Sequence, residues 1–422
     1  MTGDWEFFWG ELRLPETTAA RRVQAANANA DARASGTLRV PAAWNGQVWR
    51  NQSLPGSGYG TYRLRVLLPR EFTGRPPLAL HMPAASTSIR VFVNDELLLQ
   101  RGRVGVDAAS SRPAFQPALV APGLLGNELV LTIHVANFTH IRGGLWAAPR
   151  LGAEADLRAE QAFAFGTDLF LWGALLIMGC YHLILYGLRR ADRSPLYFGL
   201  LCLLVMVRVL VTGDRWLVQN VPGLPFDLYY RLEYLSFYLG VPAFGLFIWN
   251  AFPEESNPWL MRLVMAAGFG FSAVVIFFSP QVFTATLNVY QAITILAGLY
   301  GLVIGVWAFA RGRQGASLFV IGWLIFFAAV VHDILGANLI IQAPYLTPFA
   351  LFLFFFAQAA MLAIRFTSAF FRSEDLSERL GQTESRYRRM IEEATEGIFL
   401  FERDGWILTA NRALAHMLGY SS

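Results

Sequence analysis

Long apolar segments separated by short polar turns make up the middle of the chain, from about residue 166 to residue 371. From Phe165 onward about seven of them are long enough to cross a hydrocarbon layer of ~30 Å as helices of roughly 20 residues. Only Ser279, Pro280 and Gln281 separate the fourth from the fifth, but a proline ends a helix. The sequence therefore predicts a transmembrane bundle with spans at 166–187, 195–212, 229–251, 259–279, 283–310, 316–341 and 346–371.

Composition agrees with a membrane protein and excludes several functions. Of the 422 residues, 55% are hydrophobic and 15% are charged, against roughly 45–50% and 25% in soluble domains. All 34 basic residues are arginine, which excludes a retinal Schiff base and the lysine of a P-loop. These arginines are scattered, whereas nucleic-acid binding needs a basic patch. Cys180 and Cys202 lie in apolar runs, which favours packing residues over a disulfide or a metal site.

Residues 1–160 have the pattern of a water-soluble β domain. Short strand-like runs are separated by Gly, Pro, Asn and Asp at intervals of roughly 8–12 residues. Asn94 and Asp95 lie between two such runs, and both tolerate the left-handed backbone of a tight hairpin turn. We expect an all-β sandwich, with a jelly roll as one form of it. Its clearest strands are Tyr62–Leu68, Leu78–Met82, Ile89–Val93 and Leu129–Val135.

The arginines beside the apolar segments predict the orientation of the chain. Basic residues are retained on the cytoplasmic side during insertion, and they are more numerous at one set of segment ends. That set comprises Arg189, Arg190, Arg193, Arg262, Arg311, Arg313, Arg365 and Arg372, against Arg158, Arg215 and Arg231 at the other. We therefore expect the N-terminus outside and the C-terminus in the cytoplasm. The start of the chain lacks the apolar core of a signal peptide, so we also expect a leader to precede Met1.

Two further regions follow the membrane segment 161–372. Residues 373–394 have the heptad spacing of a signalling helix that pairs as a coiled coil, which favours a homodimer; a solvated linker helix is the alternative. Residues 395–422 read as two strands and a helix capped by Asn411, too little to bury a core. We expect them to be the beginning of a soluble α+β domain. The heptad positions are Leu376, Leu380, Thr383, Tyr387, Met390 and Ala394.

Short motifs occur in all three parts of the chain. They are 40–44, 58–64, 91–94 and 134–138 in the β region, 181–182, 231–235, 332–335 and 356–358 in the membrane region, and 386–388, 397–398 and 419–421 at the C-terminus. In this order they resemble one bacterial family, the seven-transmembrane receptors with diverse intracellular signalling modules. The N-terminal motifs resemble the family's extracellular jelly-roll module, which is similar to carbohydrate-binding domains. The membrane motifs resemble its helices, and the C-terminal stretch resembles the start of a PAS domain.

The resemblance implies a sensory receptor in the bacterial inner membrane. Its extracytoplasmic domain would bind a small-molecule or carbohydrate-like ligand, and its cytoplasmic side would control a signalling module such as a histidine kinase or a nucleotide cyclase. The chain itself contains no catalytic constellation and no spacing typical of a cofactor or metal site, so we expect no enzyme activity in it and no cofactor.

Candidate ligand-binding residues lie in the β domain. Aromatic faces stack on the apolar faces of sugar rings, and amide and imidazole groups supply directional hydrogen bonds. Each candidate also has a structural alternative, since the tryptophans can pack the sandwich and Asn94 can serve its turn. The candidates are Trp44, Trp49, His81, Asn94, Asn137 and Trp146.

Charged residues inside the apolar segments are the candidates for signal relay. An unpaired charge at the centre of a bilayer costs roughly 2.5–3.5 kcal/mol, so Arg208, His332 and Asp333 need partners. We expect Arg208 and Asp333 to face the bundle interior in one polar network, which acts either as a switch or as a static tie between helices.

The sequence is also compatible with two other classes of function. A transporter or channel with an accessory β domain would show repeated halves and broken helices around a midplane site. A membrane-embedded enzyme would gather several His, Asp or Glu side chains at one depth. The sequence shows neither pattern clearly, and a sensory receptor is our preferred interpretation.

Overall fold

A computed structural model describes most of the chain. The described residues are 1–15, 36–69, 77–85, 87–123, 127–212, 215–221, 223–337, 346–402, 404 and 406–420, without the side chains of 330, 333–337, 347, 369, 372 and 373.

The N-terminal region is built from antiparallel β-strands, including all four strands predicted from the sequence. In chain order they are β1 (Gly3–Trp9), β2 (Gly36–Val40), β3 (Ala42–Ala43), β4 (Val48–Trp49), β5 (Gln52–Ser53), β6 (Gly58–Leu67), β7 (Leu78–Met82), β8 (Ser88–Val93), β9 (Glu96–Arg101), β10 (Ala118–Val120), β11 (Glu128–Asn137), β12 (Gly144–Leu145) and β13 (Arg150–Ala153).

Two sheets share the core of this region. One has six strands in the order β2-β1-β6-β11-β8-β9, and the other has the order β10-β7-β13. Strand β1 shows the alternation that produces such a core, because Trp5 and Phe7 are buried while Asp4 and Glu6 are exposed. Leu80 of the smaller sheet belongs to the same buried cluster. The region is therefore a two-sheet β domain, and the finer jelly-roll description stays a prediction.

The predicted hairpin turn at Asn94 is confirmed. Strands β8 and β9 pair directly across it, and Asn94 has the left-handed backbone with φ 54°. Its side-chain Oδ1 accepts a hydrogen bond from the backbone N–H of Val130 at 3.0 Å. Asn94 thus joins the turn to the neighbouring strand β11.

Helices form the remainder of the chain up to the C-terminal hairpin. In chain order they are α1 (Glu154–Leu188), α2 (Ser194–Val211), α3 (Trp216–Asn220), α4 (Phe226–Ala251), α5 (Pro258–Phe277), α6 (Pro280–Ala285), α7 (Leu287–Ala310), α8 (Ala316–Ala337), α9 (Thr347–Glu392) and, after the hairpin, α10 (Arg412–Met417).

Six of these helices are long and apolar enough to cross a membrane among the described residues: α1, α2, α4, α5, α7 and the first part of α9. The remaining predicted span, 316–341, corresponds to α8, whose described apolar stretch Ala316–Ala329 is shorter. Many large apolar side chains of the bundle point outward, such as Ile177 and Phe277, which are 73% and 79% exposed. This pattern fits a bundle surrounded by lipid.

The β domain and the C-terminal region lie at opposite ends of the bundle. Helix α1 leaves the β domain at Glu154, whose backbone N–H donates to Pro77 O at 2.8 Å. At the far end, Glu255 after α4 contacts Arg313 after α7 at 2.9 Å. Helix α9 passes this far end, where Met361 lies against Gly315. We call the two the β-domain end and the distal end.

Helix α9 continues without interruption through the predicted boundary at 372, as a single helix of 46 residues to Glu392. Strands β14 (Phe399–Phe401) and β15 (Ile407–Ala410) follow as an antiparallel pair. Asn411 caps α10 by accepting from the N–H of Leu414 at 3.1 Å, as predicted. Its Nδ2 also donates to Ile391 O at 2.9 Å, which joins the end of α9 to the hairpin.

Candidate functional site

Loops of the β domain bind directly to the β-domain end of the bundle. We call this contact the junction. Its hydrogen bonds involve α4 and the consecutive helices α6 and α7, so all three are fixed to the same β-domain surface. The bonds are Phe115 N to Tyr229 Oη (3.3 Å), Ile141 N to Thr284 Oγ1 (3.2 Å), Gln281 Nε2 to Phe138 O (2.6 Å) and Arg142 Nη2 to Asn288 Oδ1 (3.1 Å).

Aromatic rings fill the space between the two parts. The ring centroids of His140 and Trp146 lie 4.6 Å apart, and those of Phe115 and Trp146 lie 5.8 Å apart. On the bundle side, the ring of Tyr230 lies 6.2 Å from His140. Phe115 belongs to the same buried cluster as Tyr229 and Tyr230. The junction is thus packed as a small core of its own rather than as a loose surface contact.

A buried ion pair underlies this aromatic cluster. Arg215 Nη1 lies 2.8 Å from Glu233 Oε2, and the two side chains are only 7% and 19% exposed. The guanidinium of Arg215 also lies 4.3 Å from the ring centroid of Phe115. A buried charge is strongly destabilising if its partner is removed. The β-domain side chain Phe115 therefore covers an ion pair of the bundle that depends on exclusion of water.

Arg208 belongs to the same group of charges. Its Nη1 donates to the backbone oxygen of Glu233 at 3.2 Å, and its guanidinium lies 4.9 Å from the ring centroid of Phe237. Glu233 thus contacts both arginines, one through its carboxylate and the other through its carbonyl.

The predicted partner of Arg208 was Asp333, whose side chain lies outside the described residues. His332, the third residue of the predicted network, is half-buried in α8. Glu233 was missed in the sequence analysis. The available signal was its position as the only acidic residue in the predicted span 229–251.

His140 is the titratable group of the junction on the β-domain side. Burial lowers its pKa to about 4, and the positive charges of Arg142 and Arg215 act in the same direction, against a hydrogen bond to the carbonyl of Arg142 that raises the pKa. When Nδ1 carries no proton it accepts a hydrogen bond from the backbone N–H of Arg142 at 2.9 Å, and only a protonated Nδ1 donates to the Arg142 carbonyl oxygen 3.0 Å away. The packed junction therefore favours a neutral imidazole at neutral pH.

Two of the predicted ligand-binding residues, Trp44 and Trp49, lie in the β core. Trp44 is fully buried, and its Nε1 donates to Gly56 O at 3.1 Å. Trp49 is 8% exposed, and its Nε1 donates to Phe7 O at 3.2 Å. Both indoles are placed as packing residues, and their part in ligand binding stays a prediction.

Asn137 and Trp146 lie close to the junction. Asn137 is fully buried, and its Nδ2 donates to Gly56 O at 2.8 Å and to His140 O at 2.7 Å. Trp44 bonds the same Gly56 carbonyl, so the core and the loop that carries His140 are joined through one peptide group. The Trp146 ring packs against the imidazole of His140, with the ring centroids 4.6 Å apart.

His81 and Asn94 lie elsewhere in the β domain. His81 is half-buried in the smaller sheet, where it pairs with Leu119 of β10 and Arg150 of β13. Asn94 occupies its hairpin turn. The structure thus places Trp44, Asn137 and Trp146 near the loop that carries His140, and it places Trp49, His81 and Asn94 away from that loop. A ligand contact at any of the six stays a prediction.

A second group of charges occupies the distal end. Arg313 Nε lies 2.9 Å from Glu255 Oε1, and Arg311 Nη1 lies 3.4 Å from the same oxygen. Arg313 also pairs with Glu254. We call these four residues the distal cluster. The Glu255 side chain is 1% exposed, but both guanidiniums remain in contact with solvent, at 37% and 43%.

Comparison with known proteins identifies two parts of the chain. Residues 165–365 match the family model of 7TM diverse intracellular signalling domains. Residues 385–422 match a family model of PAS domains. The predicted resemblance to seven-transmembrane receptors with intracellular signalling modules and a PAS domain is confirmed. Residues 165–365 are thus similar to a membrane signalling domain of that family, and residues 385–422 are similar to PAS domains.

Solved structures that resemble about a third of this chain are weak matches. They include β-glucuronidases from Dictyoglomus thermophilum (18% identity, 33% of this chain and 19% of that chain, TM-score 0.23), Bifidobacterium dentium (19%, 33% and 20%, 0.23) and Ruminococcus gnavus (12%, 33% and 21%, 0.23). This chain therefore spans about a fifth of those proteins, and the TM-scores are too low to support an argument. No curated protein matches the chain.

Proposed function

We propose that this protein is a transmembrane receptor in which the β domain detects a ligand and the junction passes the change to the helical bundle. The observation that carries the proposal is the contact of Phe115 with the buried pair of Arg215 and Glu233. A movement of the β domain that displaces Phe115 would admit water to this pair. The charges of the bundle would then be in a different electrostatic environment, which is what a switch requires.

The change would leave the bundle through α9. This helix connects the last apolar segment to the PAS region without a break, so a shift or rotation at its membrane end is carried along its length. Its outward positions Leu376, Leu380 and Met390 are 59–63% exposed in the single chain. We propose that they pair with a second copy as a coiled coil in a homodimer.

The sidedness of the proposal follows from the two ends of the bundle. We propose that the β domain lies in the periplasm and the PAS region in the cytoplasm of a bacterial inner membrane, as the arginine bias predicts. Reporters of compartment fused to each terminus of the full chain test this point. Detection of both termini in one compartment would overturn the receptor function.

The ligand would be a small molecule, for which a carbohydrate-like compound is the first candidate. We propose that it binds the β domain. Substitutions at Trp44, which is in the core, and at His81, which is half-buried, test this in different ways. Trp44→Ala creates a large cavity in the core and should cost about 3–5 kcal/mol of stability. His81→Ala leaves most of the core intact, so loss of binding by that variant with nearly normal unfolding would identify a ligand contact.

The relay itself is tested by distances between spin labels in the full chain in lipid nanodiscs. With Cys180 and Cys202 replaced by serine, a label at Gly381→Cys lies on the exposed part of α9. We expect Phe115→Ala to shift the distance distribution between the two copies. The matched control is Leu67→Ala, an exposed leucine of the β domain outside the junction. Identical distributions for all three proteins would contradict the relay.

A further inference from the structure

A cleft lies beside the junction, between α1, α2 and α3. It has two adjoining parts with volumes of about 260 Å³ and about 70 Å³, and Trp216 lines both. The larger part is lined by Arg158, Gln161, Phe165, Trp216, Gln219 and Asn220. The smaller part is lined by Asp168, Leu169, Trp172, Val209 and Leu210. Nothing in the proposed relay uses this cleft.

The polarity of the cleft changes along one face of α1. Its lining positions 158, 161, 165, 169 and 172 follow the spacing of three or four residues that places side chains on a single helix face. Arg158 and Gln161 begin this face near the β domain, and Leu169 and Trp172 continue it into the apolar span. Asp168 already has an interaction partner in the protein. The entrance is thus polar, with amides and with Arg158, whose guanidinium pairs with Glu154 at 2.6 Å and stays largely exposed, whereas the interior is apolar.

We propose that this cleft binds a phospholipid of the surrounding bilayer. One acyl chain would lie between α1 and α2 against Leu169, Trp172 and Leu210. The phosphate would lie at the entrance, where the Arg158 side chain is 62% exposed and the amides of Gln161 and Asn220 supply further donors. A soluble ligand would leave the apolar part unfilled, whereas an amphiphile matches both parts at once.

The position of the cleft gives the lipid a structural consequence. Trp216 directly follows Arg215, which has a left-handed backbone with φ 55° at the start of α3. An acyl chain against the Trp216 ring would hold α3 in place, and with it the guanidinium that pairs with Glu233. The lipid would then stabilise the junction from the membrane side. This binding site does not depend on the receptor function, and its test reads binding alone.

Photochemical labelling of the full chain tests the site. The probe is phosphatidylglycerol with a diazirine in its acyl chain, incorporated in nanodiscs and followed by mass spectrometry of the labelled peptides. We expect labelling of Leu169, Trp172 or Leu210 to exceed that of Leu296 and Leu299 on the outward face of α7, which are 67% and 47% exposed to ordinary lipid. Equal labelling of the two regions would overturn the proposal.

Two variants separate a specific site from general contact with lipid. Leu210→Trp fills the apolar part and should reduce cleft labelling about tenfold, while Leu296→Trp on α7 should change it by less than about twofold. Arg158→Gln removes the entrance charge and its exposed ion pair with Glu154, and should reduce labelling about fivefold. Its control is Arg65→Gln, another exposed arginine paired with a glutamate. Unchanged labelling in both cleft variants would show that no lipid is held there.

Discussion

The two charged groups of the bundle differ in how far water reaches them. At the junction both partners are largely buried, with Arg215 and Glu233 at 7% and 19% exposure, and a ring from another domain lies on the guanidinium. In the distal cluster only Glu255 is buried, while Arg311 and Arg313 stay in contact with solvent. The same residue types thus form a water-excluded pair at one end and a solvated cluster at the other.

This difference in burial indicates which end of the bundle loses more stability when its packing changes. A solvated ion pair contributes about 0–1 kcal/mol, and water replaces a lost partner easily. A buried charge left without its partner costs several times more. The end of the bundle that touches the β domain is therefore the end where a small displacement has a large energetic effect.

The largest expected effect is that of Glu233→Gln. It leaves Arg215 buried with a neutral partner and should lower the stability of the junction by about 3–5 kcal/mol. Hydrogen exchange of the backbone N–H groups of Phe115 and Ile141 measures this, since both donate across the junction. Exchange as slow as in the unmodified chain would mean that the pair contributes nothing to holding the β domain.

Acidification is the second way to open the junction. Burial lowers the pKa of His140 to about 4 in the folded protein, against about 6.5 in an unfolded chain. Protonation is therefore disfavoured in the folded state, and stability present at neutral pH is lost progressively from about pH 6.5 to about pH 4. The loss at pH 4 should be about 3 kcal/mol.

Hydrogen exchange of the Ile141 N–H as a function of pH, corrected for intrinsic exchange rates, measures this loss. His140→Gln should remove the acid response at the junction. In this variant the loss of stability on protonation of His134 should remain and serves as the control, because burial also lowers the pKa of His134 within the large sheet. A junction that responds to acid equally with and without His140 would exclude this histidine as its titrating group.

The sequence predicted the regular elements well because their patterns are local. The predicted strands that form β6, β7, β8 and β11, like the asparagine turn at Asn94, need only neighbouring residues, and the apolar spans need only length. It did not predict the junction, because Phe115 and His140 lie in irregular loops whose positions depend on tertiary packing. It left open whether Trp44 packs the core or contacts a ligand, since a strand pattern identifies the inward face but not which aromatic ring is fully buried.

The charge network shows the same limit in another form. Arg215 was assigned to a segment end and Arg208 to a partner in a distant helix, although the carboxylate between them belongs to α4. Arg215 and Glu233 are 18 positions apart, and Arg215 has the left-handed backbone of a turn directly before α3. No periodicity encodes that turn.

A milder change to the junction tests the role of the ring itself. Phe115→Leu keeps an apolar side chain but removes the cation–π contact with Arg215 and the edge contact with Trp146. We expect a loss of about 1–2 kcal/mol in junction stability, seen as faster exchange of the Ile141 N–H. Phe92→Leu, in the large sheet away from the junction, is the control. An equal effect of both variants would reduce Phe115 to an ordinary packing residue.

The smallest expected effect is at the distal cluster, where Glu254→Gln removes a carboxylate that is 66% exposed. Arg313 keeps Glu255 as its partner, and water replaces the lost contact, so the stability should change by about 1 kcal/mol or less. The thermal unfolding midpoint of the full chain in nanodiscs, compared directly with that of Glu233→Gln, measures the contrast. A loss as large as that of Glu233→Gln would mean that burial does not separate the two ends, and that the solvated arginines carry as much of the bundle's stability as the pair beneath Phe115.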